Sequence, residues 1–360
     1  MQNTKNRRLL QIAAIILLIF LVSNVLAEPS LTSPFFSYNG VTYLNVTHSG
    51  LHGEKYLLNK QLSTVQISLD LRPVPWGKFH SLFIYNRTPT PVAPTLYFDE
   101  AYFEFSTTAT STLVVGKKWL GFSANKTDLI YKPLTKALGQ TNETVVGGSF
   151  ALDKVYSQLT FFQPHSKMTS ILPLQYSFNL GVKDDSSLVS DVGIGYISSI
   201  ADSSLLQYNS GFGGFLNHRL QNQIGGIALY ANLKYKPFSS YLSATSAERN
   251  FSKQDLSYQN HGAQPSALSI QSSYDFKVKH TPLKFIIFYE ESFQALALLL
   301  PKRRAGTGLN IYVHKNVDFQ FQIFKDYSYA DNIQATGLTK KVTGSSTIRT
   351  TGAFQLVFRF

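Results

Sequence analysis

The sequence has no cysteine, and only two methionines and two tryptophans. The absence of cysteine excludes a disulfide scaffold, a thiolate metal site and a cysteine nucleophile. Charged residues make up only 15 %, and acids are the scarcer sign, with 21 Asp and Glu against 33 Lys and Arg. This excess of positive charge favours acidic partners, either lipid head groups or anionic solutes.

Several motifs are missing as well. The eight histidines show no short or helical ligand spacing, so we predict neither a metal site nor a cofactor. No glycine-rich phosphate loop is present, and we interpret the basic run 302–304 as a surface patch for lipid phosphates rather than a nucleic-acid site. The apolar stretch 295–300 is far too short for a spanning helix. These absences exclude a bundle of membrane helices and a nucleotide-binding protein.

The first 27 residues resemble a secretory signal peptide. A basic start leads into the apolar run 12–22 and then into small residues at 25–27. The run has 11 residues, whereas a membrane anchor needs roughly 20. We therefore expect cleavage between Ala27 and Glu28, which leaves residues 28–360 as the mature, exported chain.

Alternation of apolar and polar side chains recurs through the mature chain and is typical of strands with one apolar face. One example runs from Val65 to Arg72, where Ile67, Leu69 and Leu71 alternate with Gln66, Ser68 and Asp70. We predict sixteen such strands, at 37–46, 63–72, 78–86, 96–106, 111–118, 144–152, 156–163, 174–182, 190–199, 225–235, 239–246, 267–278, 283–291, 304–313, 317–326 and 349–360.

The connections between these segments alternate in length. Long links follow odd-numbered segments (47–62, 119–143, 200–224, 247–266 and 327–348), and short links follow even-numbered ones (73–77, 107–110, 153–155, 236–238, 279–282 and 314–316). Transmembrane barrels have such short periplasmic turns and long external loops. The sequence therefore predicts an all-β, antiparallel transmembrane barrel of sixteen strands, with a range of 14–18. Its 333 mature residues, 360 less the leader, are too few for a larger barrel with a plug domain.

The last segment carries a further signal. Apolar side chains occupy every second position up to the last residue, at Phe354, Leu356, Phe358 and Phe360. This pattern looks like the C-terminal signature by which the barrel-assembly machinery reads outer-membrane barrels. We therefore expect these residues to act in assembly, in the outer membrane of a Gram-negative bacterium.

The third external loop, residues 119–143, is unusually apolar. Sixteen strands enclose a bore wide enough for water, and the polar strand faces suit its lining. The loop side chains that favour burial are Leu129, Ile130, Tyr131, Leu134 and Leu138. Two placements are open: the loop folds into the lumen as a constriction, or it packs over the outer rim.

The same region resembles a known family. The residues concerned are 97–105, reading Tyr-Phe-Asp-Glu-Ala-Tyr-Phe-Glu-Phe, then Val115-Gly116-Lys117 with Leu120 and Phe122, then Pro133-Leu134-Thr135 and Leu138-Gly139. They look like the plug-less siderophore porins of the LbtU type. The resemblance implies a sixteen-stranded outer-membrane barrel that takes up an iron-loaded siderophore without a plug.

Lysines dominate the loop and its borders, which predicts a positive field that favours anions in a confined passage. The candidate pore-lining residues are Lys117, Lys118, Lys126, Asp128, Lys132 and Lys136, with Glu100, Glu104 and Arg72 on the strands. The alternative is that individual lysines contact water or lipopolysaccharide phosphates.

Three function classes follow. The leading hypothesis is that the protein is a transport channel and not an enzyme. Its solute is an iron–siderophore complex or, alternatively, any small anion. An outer-membrane hydrolase would need a nucleophile motif, which is missing. An adhesin would use the long loops and need no polar lumen. The expected partners are outer-membrane lipid, lipopolysaccharide and the assembly machinery, and the barrel could be a monomer or a trimer.

Overall fold

The computed structural model describes residues 36–51, 57–86, 95–123, 126–168, 174–186, 189–208, 214–215, 218–338 and 340–360. The predicted signal peptide, with Ala27 and Glu28, lies outside these residues. No helix in the described ranges is long and apolar enough to cross a bilayer.

The chain forms a closed barrel of sixteen antiparallel strands, each paired with its neighbours in sequence. The strands are β1 Phe36–Leu51, β2 Leu57–Val74, β3 Gly77–Asn86, β4 Thr95–Ser106, β5 Ser111–Trp119, β6 Asn142–Leu152, β7 Val155–Phe162, β8 Gln175–Asp184, β9 Val189–Ile197, β10 Gly226–Tyr235, β11 Phe238–Ala247, β12 Ser266–Val278, β13 Thr281–Phe293, β14 Arg303–His314, β15 Val317–Tyr327 and β16 Ile348–Arg359. Each coincides with a predicted segment, so the strand count and the fold class are confirmed.

The parity of the connections is confirmed as well. Two-residue turns join β6 to β7, β10 to β11, β12 to β13 and β14 to β15, whereas the loops at the other end are long. One link was predicted too long: 47–62 was expected as a loop, but β1 and β2 pair as far as Ser49 and Leu57. The strands continue to pair beyond the residues that alternate clearly between apolar and polar. The prediction used alternation alone and therefore ended the strands too early.

The burial pattern is inverted relative to a soluble protein. Apolar side chains on the outer face are exposed, such as Phe285 at 44 % and Ile323 at 57 %. Polar side chains on the inner face are buried, such as Gln271 and Asn310. Because only lipid makes an exposed apolar belt favourable, this surface is the membrane-spanning part of the chain.

The barrel closes between β1 and β16. Gly40 and Phe360 exchange two backbone hydrogen bonds, of 2.8 and 3.0 Å, at the end of this seam. A Cβ at Gly40 would overlap the ring of Phe360. Glycine at this position leaves room for the ring of Phe360 in its present orientation.

The long loops pack together at the outer end. Two short helices, α1 Leu134–Gly139 and α2 Ser204–Tyr208, contribute buried leucines to one apolar core with Phe251 and Leu256. A small four-stranded sheet joins the loop 248–265 to the loop 328–347. The outer end of the barrel thus has a compact cap, which determines where the third loop can go.

Candidate functional site: the inner loop and the facing wall

The loop between β5 and β6, residues 120–141, is called the inner loop below, and its described residues, 120–123 and 126–141, lie inside the barrel. At its start the carbonyl of Phe122 lies so close to Gly195 on β9 that a Cβ there would overlap it. Lys126 Nζ then lies 3.0 Å from Asp191 Oδ2, also on β9. The placement in the lumen is confirmed, and the alternative over the outer rim is wrong.

Beyond Lys126 the inner loop follows the wall formed by β12 to β15. Lys284 Nζ donates to Asp128 Oδ2 at 3.0 Å, and Asn310 Nδ2 donates to the Asp128 carbonyl at 3.0 Å. The backbone N–H groups of Ile130 and Tyr131 both donate to Gln322 Oε1, at 3.0 and 3.1 Å. Side chains of three strands thus hold this stretch of the inner loop, two of them through its backbone.

The apolar residues of the inner loop are buried against this wall and the cap. The Tyr131 ring meets Phe324 of β15 edge to face, with ring centroids 4.9 Å apart. Leu134 and Leu138 are buried in the core beneath the cap, and Thr135 Oγ1 lies 2.7 Å from Ser243 Oγ on β11. This burial explains why an external loop carries so many apolar side chains.

A buried ion cluster lies beneath the same segment. Arg304 of β14 makes two hydrogen bonds with Asp326 of β15, Nε to Oδ1 at 2.7 Å and Nη2 to Oδ2 at 3.1 Å. Its Nη1 is 3.7 Å from Oε2 of the buried Glu290. Glu290 also lies near the backbone N–H of Leu134 on the inner loop. The cluster therefore ties the inner loop to the wall.

The interpretation of Arg304 as part of a surface patch was wrong, because its side chain faces inward and is only 12 % exposed. Alternation along β13 would have indicated the inward face. Phe285, Ile287 and Tyr289 face the lipid, so the next residue, Glu290, had to face inward. Neighbouring residues of a strand point to opposite faces, so one of two adjacent arginines faces inward and the other outward. Arg303, the neighbour, is the exposed one, at 57 %.

The predicted lysines divide into different environments. Lys117 lies on the lipid-facing side of β5 with Leu113 and Val115, and its Nζ donates to the Phe98 carbonyl at 3.0 Å. Its assignment to the pore lining was therefore wrong, since two-residue alternation puts it outside. Lys118 faces inward, with Nζ 4.7 Å from the centroid of the Tyr102 ring.

Lys132 and Lys136 lie on the inner loop. Lys132 Nζ donates to Gln140 Oε1 at 3.0 Å, and in the described part of the chain neither lysine is within ion-pair distance of a carboxylate. Burial lowers the pKa of Lys132 below its ordinary 10.5, and burial together with repulsion from Lys132 lowers the pKa of Lys136. Water reaches both side chains, but the surrounding wall limits their hydration.

The wall opposite the inner loop is formed by β2 to β5 and carries the predicted acids. His80 Nδ1 is 2.6 Å from Asp70 Oδ1, and His80 Nε2 is 3.7 Å from Glu100 Oε2. Lys78 Nζ is 3.7 Å from Glu104 Oε2. The acids on this wall therefore face basic partners, which reduces their field.

Exposure distinguishes the two walls. Under the inner loop, inward residues such as Gln271 and Gln322 are 3 % and 4 % exposed. On the facing wall, the side chains of Asp70 and Glu104 are 24 % and 28 % exposed. The charged inward side chains of β2 to β5 are thus more accessible to water than the glutamines beneath the inner loop.

The remaining predicted residues lie away from this space. Arg72 is exposed on β2 near the short turn to β3, at the periplasmic end. The proposed assembly residues on β16, Phe354, Leu356 and Phe358, alternate with the buried Ala353, Gln355 and Val357, and so lie on the outer face. Within the described ranges, no three His, Asp or Glu side chains are arranged to hold a metal ion.

Comparison with known proteins gives sequence relatives of modest similarity. No protein-family model matches the chain. It is similar to a UPF0422 protein of Coxiella burnetii, with 25 % identity over 320 residues that make up 85 % of this chain. It is also similar to a UPF0422 protein of Legionella pneumophila, with 29 % identity over 171 residues, or 45 % of this chain. The chain spans 64 % and 31 % of the lengths of these relatives.

Solved structures of the same architecture are outer-membrane porins. OprB of Pseudomonas putida aligns with a TM-score of 0.58 and 9 % identity over 92 % of this chain and 95 % of its own. The anion-selective porin from Comamonas acidovorans aligns with a TM-score of 0.57 and 9 % identity over 90 % of this chain and 99 % of its own. At such identities the likeness shows the fold. The chain is a sixteen-stranded barrel of the outer membrane of a Gram-negative bacterium, with the fold of a porin.

Proposed function

We propose that the protein is a porin-like channel whose passage runs between the inner loop and the wall of β2 to β5, and that it favours small anions. The observation that carries the proposal is the contrast between the two walls: one is covered by the inner loop, whereas the other keeps its polar side chains accessible. Accessible polar side chains in a wide barrel are what a water-filled passage requires. The role is transport, with no catalytic step.

The charge of this passage is nearly balanced. Four lysines border it, at positions 78, 118, 132 and 136, against the four carboxylates of Asp70, Asp99, Glu100 and Glu104. Counted formally, with histidine as neutral, the balance is zero. Lys126 does not count, because Asp191 neutralises it. Anion preference therefore depends on Lys132 and Lys136, the two loop lysines without a carboxylate partner.

A narrower proposal concerns the solute. The stretches that resemble the plug-less siderophore porins, 97–105 and 133–139, lie on the accessible wall and on the inner loop. Resemblance in the parts that border the passage supports uptake of an anionic iron–siderophore complex. A general anion-preferring porin is the alternative, and the Comamonas acidovorans porin of the same fold is anion-selective.

The lysines outside the passage have other proposed partners. Lys117 is on the lipid-facing side near the outer end of β5, where lipopolysaccharide phosphates are within reach of a lysine. We assign it to lipopolysaccharide rather than to the solute.

The test is the reversal potential of single channels in a planar bilayer with a salt gradient. K132Q/K136Q changes the formal balance of the passage from 0 to −2, so we expect the reversal potential to shift toward cation preference. The matched control is K117Q/K253Q, which removes the same charge from a lipid-facing position and from an exposed outer loop, and it should leave the reversal potential unchanged. Equal shifts in both variants would contradict the proposed passage. Iron uptake by cells tests the solute separately, since a general anion porin would show the shift but no siderophore-dependent uptake.

A further inference from the structure

Three short turns at the periplasmic end share one feature. The two-residue turns after β10, β12 and β14 each carry an exposed lysine, namely Lys236, Lys279 and Lys315. No ion pair involves any of them within the described residues. We call these three residues the lysine arc.

The opposite side of the same rim differs. After β6, Lys154 Nζ lies 2.7 Å from Asp184 Oδ2, and Lys183 Nζ lies 2.9 Å from Asp185 Oδ2. Those lysines are neutralised by neighbours on the rim. Among the described residues, Arg72 on β2 is also exposed without an ion pair, but the three unpaired turn lysines lie together on the side of β10 to β15.

The geometry places the lysine arc at the level of lipid head groups. Neighbouring hairpins put the three turn tips about 10 Å apart, because adjacent strands are about 4.8 Å apart. Exposed apolar side chains precede or follow each lysine, with Tyr235 at 63 %, Phe238 at 58 %, Val278 at 54 % and Val313 at 55 %. Such side chains mark the edge of the apolar belt of a membrane barrel.

We propose that the lysine arc binds anionic phospholipid head groups in the inner leaflet of the outer membrane. Basic side chains next to an apolar belt are attracted to anionic lipid, and two-residue turns keep them within the head-group layer. The same short turns give a protein partner little surface to contact beyond the membrane. The binding site is separate from the channel and does not depend on the proposed solute.

The experiment is native mass spectrometry of the full barrel in detergent, with phosphatidylglycerol or phosphatidylcholine added. We expect phosphatidylglycerol to bind at least about fivefold more tightly, the contribution of one basic residue near an anionic surface. In K236Q/K279Q/K315Q the two lipids should bind equally. In 1 M salt the preference should disappear in the wild type as well, because charges are screened over about 3 Å.

A matched control removes three exposed lysines from the outer loops, as K253Q/K340Q/K341Q. This variant has the same net charge as the triple variant of the lysine arc and should keep the lipid preference. The proposal is overturned if the wild type shows no preference, if the variant of the lysine arc keeps it, or if both variants lose it equally. Co-sedimentation with peptidoglycan that depends on the lysine arc, without lipid preference, would also overturn it.

Discussion

Arg304 offers a direct test of how the inner loop is held, because its neighbour Arg303 has the same side chain on the opposite face. Arg304 is 12 % exposed and bonds Asp326 twice, beside Glu290, whose side chain is 1 % exposed. Removing the guanidinium leaves two carboxylates facing each other without a cation. Breaking a buried ion pair from one side costs about 3–5 kcal/mol.

Arg303 provides the scale for comparison. It is 57 % exposed and lies 3.3 Å from Glu291 Oε1. An exposed pair of this kind contributes about 0–1 kcal/mol. We therefore expect R304Q to lower the free energy of unfolding by several kcal/mol more than R303Q. The assay is urea unfolding of the barrel in lipid vesicles, followed by the mobility of folded and unfolded protein on gels.

The cluster also predicts an effect on the channel. Arg304 lies over the ring of Phe324, on which Tyr131 of the inner loop packs, so an unbalanced cluster should release the inner loop and raise the conductance of R304Q. Adding E290Q removes one of the two unpaired charges and should restore part of the stability. Equal stabilities and equal conductances for R304Q and R303Q would refute the assignment of Arg304 to the loop anchor.

Two further predictions follow from other parts of the barrel. Because burial lowers the pKa of Lys132 and Lys136, both lose their charge below the ordinary 10.5, so the wild type should shift toward cation preference as pH rises toward that value, and K132Q/K136Q should shift less; a wild-type reversal potential constant over this range contradicts it. At the seam, G40V should lower the yield of folded barrel by overpacking against Phe360, at a cost of about 1–3 kcal/mol. Because Phe360 is itself an expected assembly residue, the comparison is with F360A: G40V/F360A should give the same yield as F360A alone, and a further loss from G40V in that background would refute the steric explanation.

The strands were predictable because alternation is local. The sequences of β12 and β15, for example, each alternate between an apolar and a polar face. The lipid environment only reverses which of these faces is exposed. Lys117 could have been placed outside by the same alternation, had the parity of Leu113 and Val115 been extended to it. Its assignment to the pore came from charge alone.

The path of the inner loop was not predictable from local pattern. Its composition indicated burial, but its partners are distant in sequence: Asp128 and Lys284 are 156 positions apart, and Ile130 and Gln322 are 192 apart. Such contacts depend on the closure of the barrel. For the same reason the neutralisation of Lys126 by Asp191, which reduces the expected positive field, became visible only in the structure.

The central claim is that solute passes between the inner loop and the wall of β2 to β5, past Lys132. Because the chain has no cysteine, a single introduced thiol can test it without background reaction. We predict that a negatively charged thiol reagent added to K132C channels lowers the single-channel conductance and shifts the preference toward cations. L134C, whose side chain is 2 % exposed under the cap, should show no change. Unchanged current through K132C channels that are demonstrably labelled would contradict the claim.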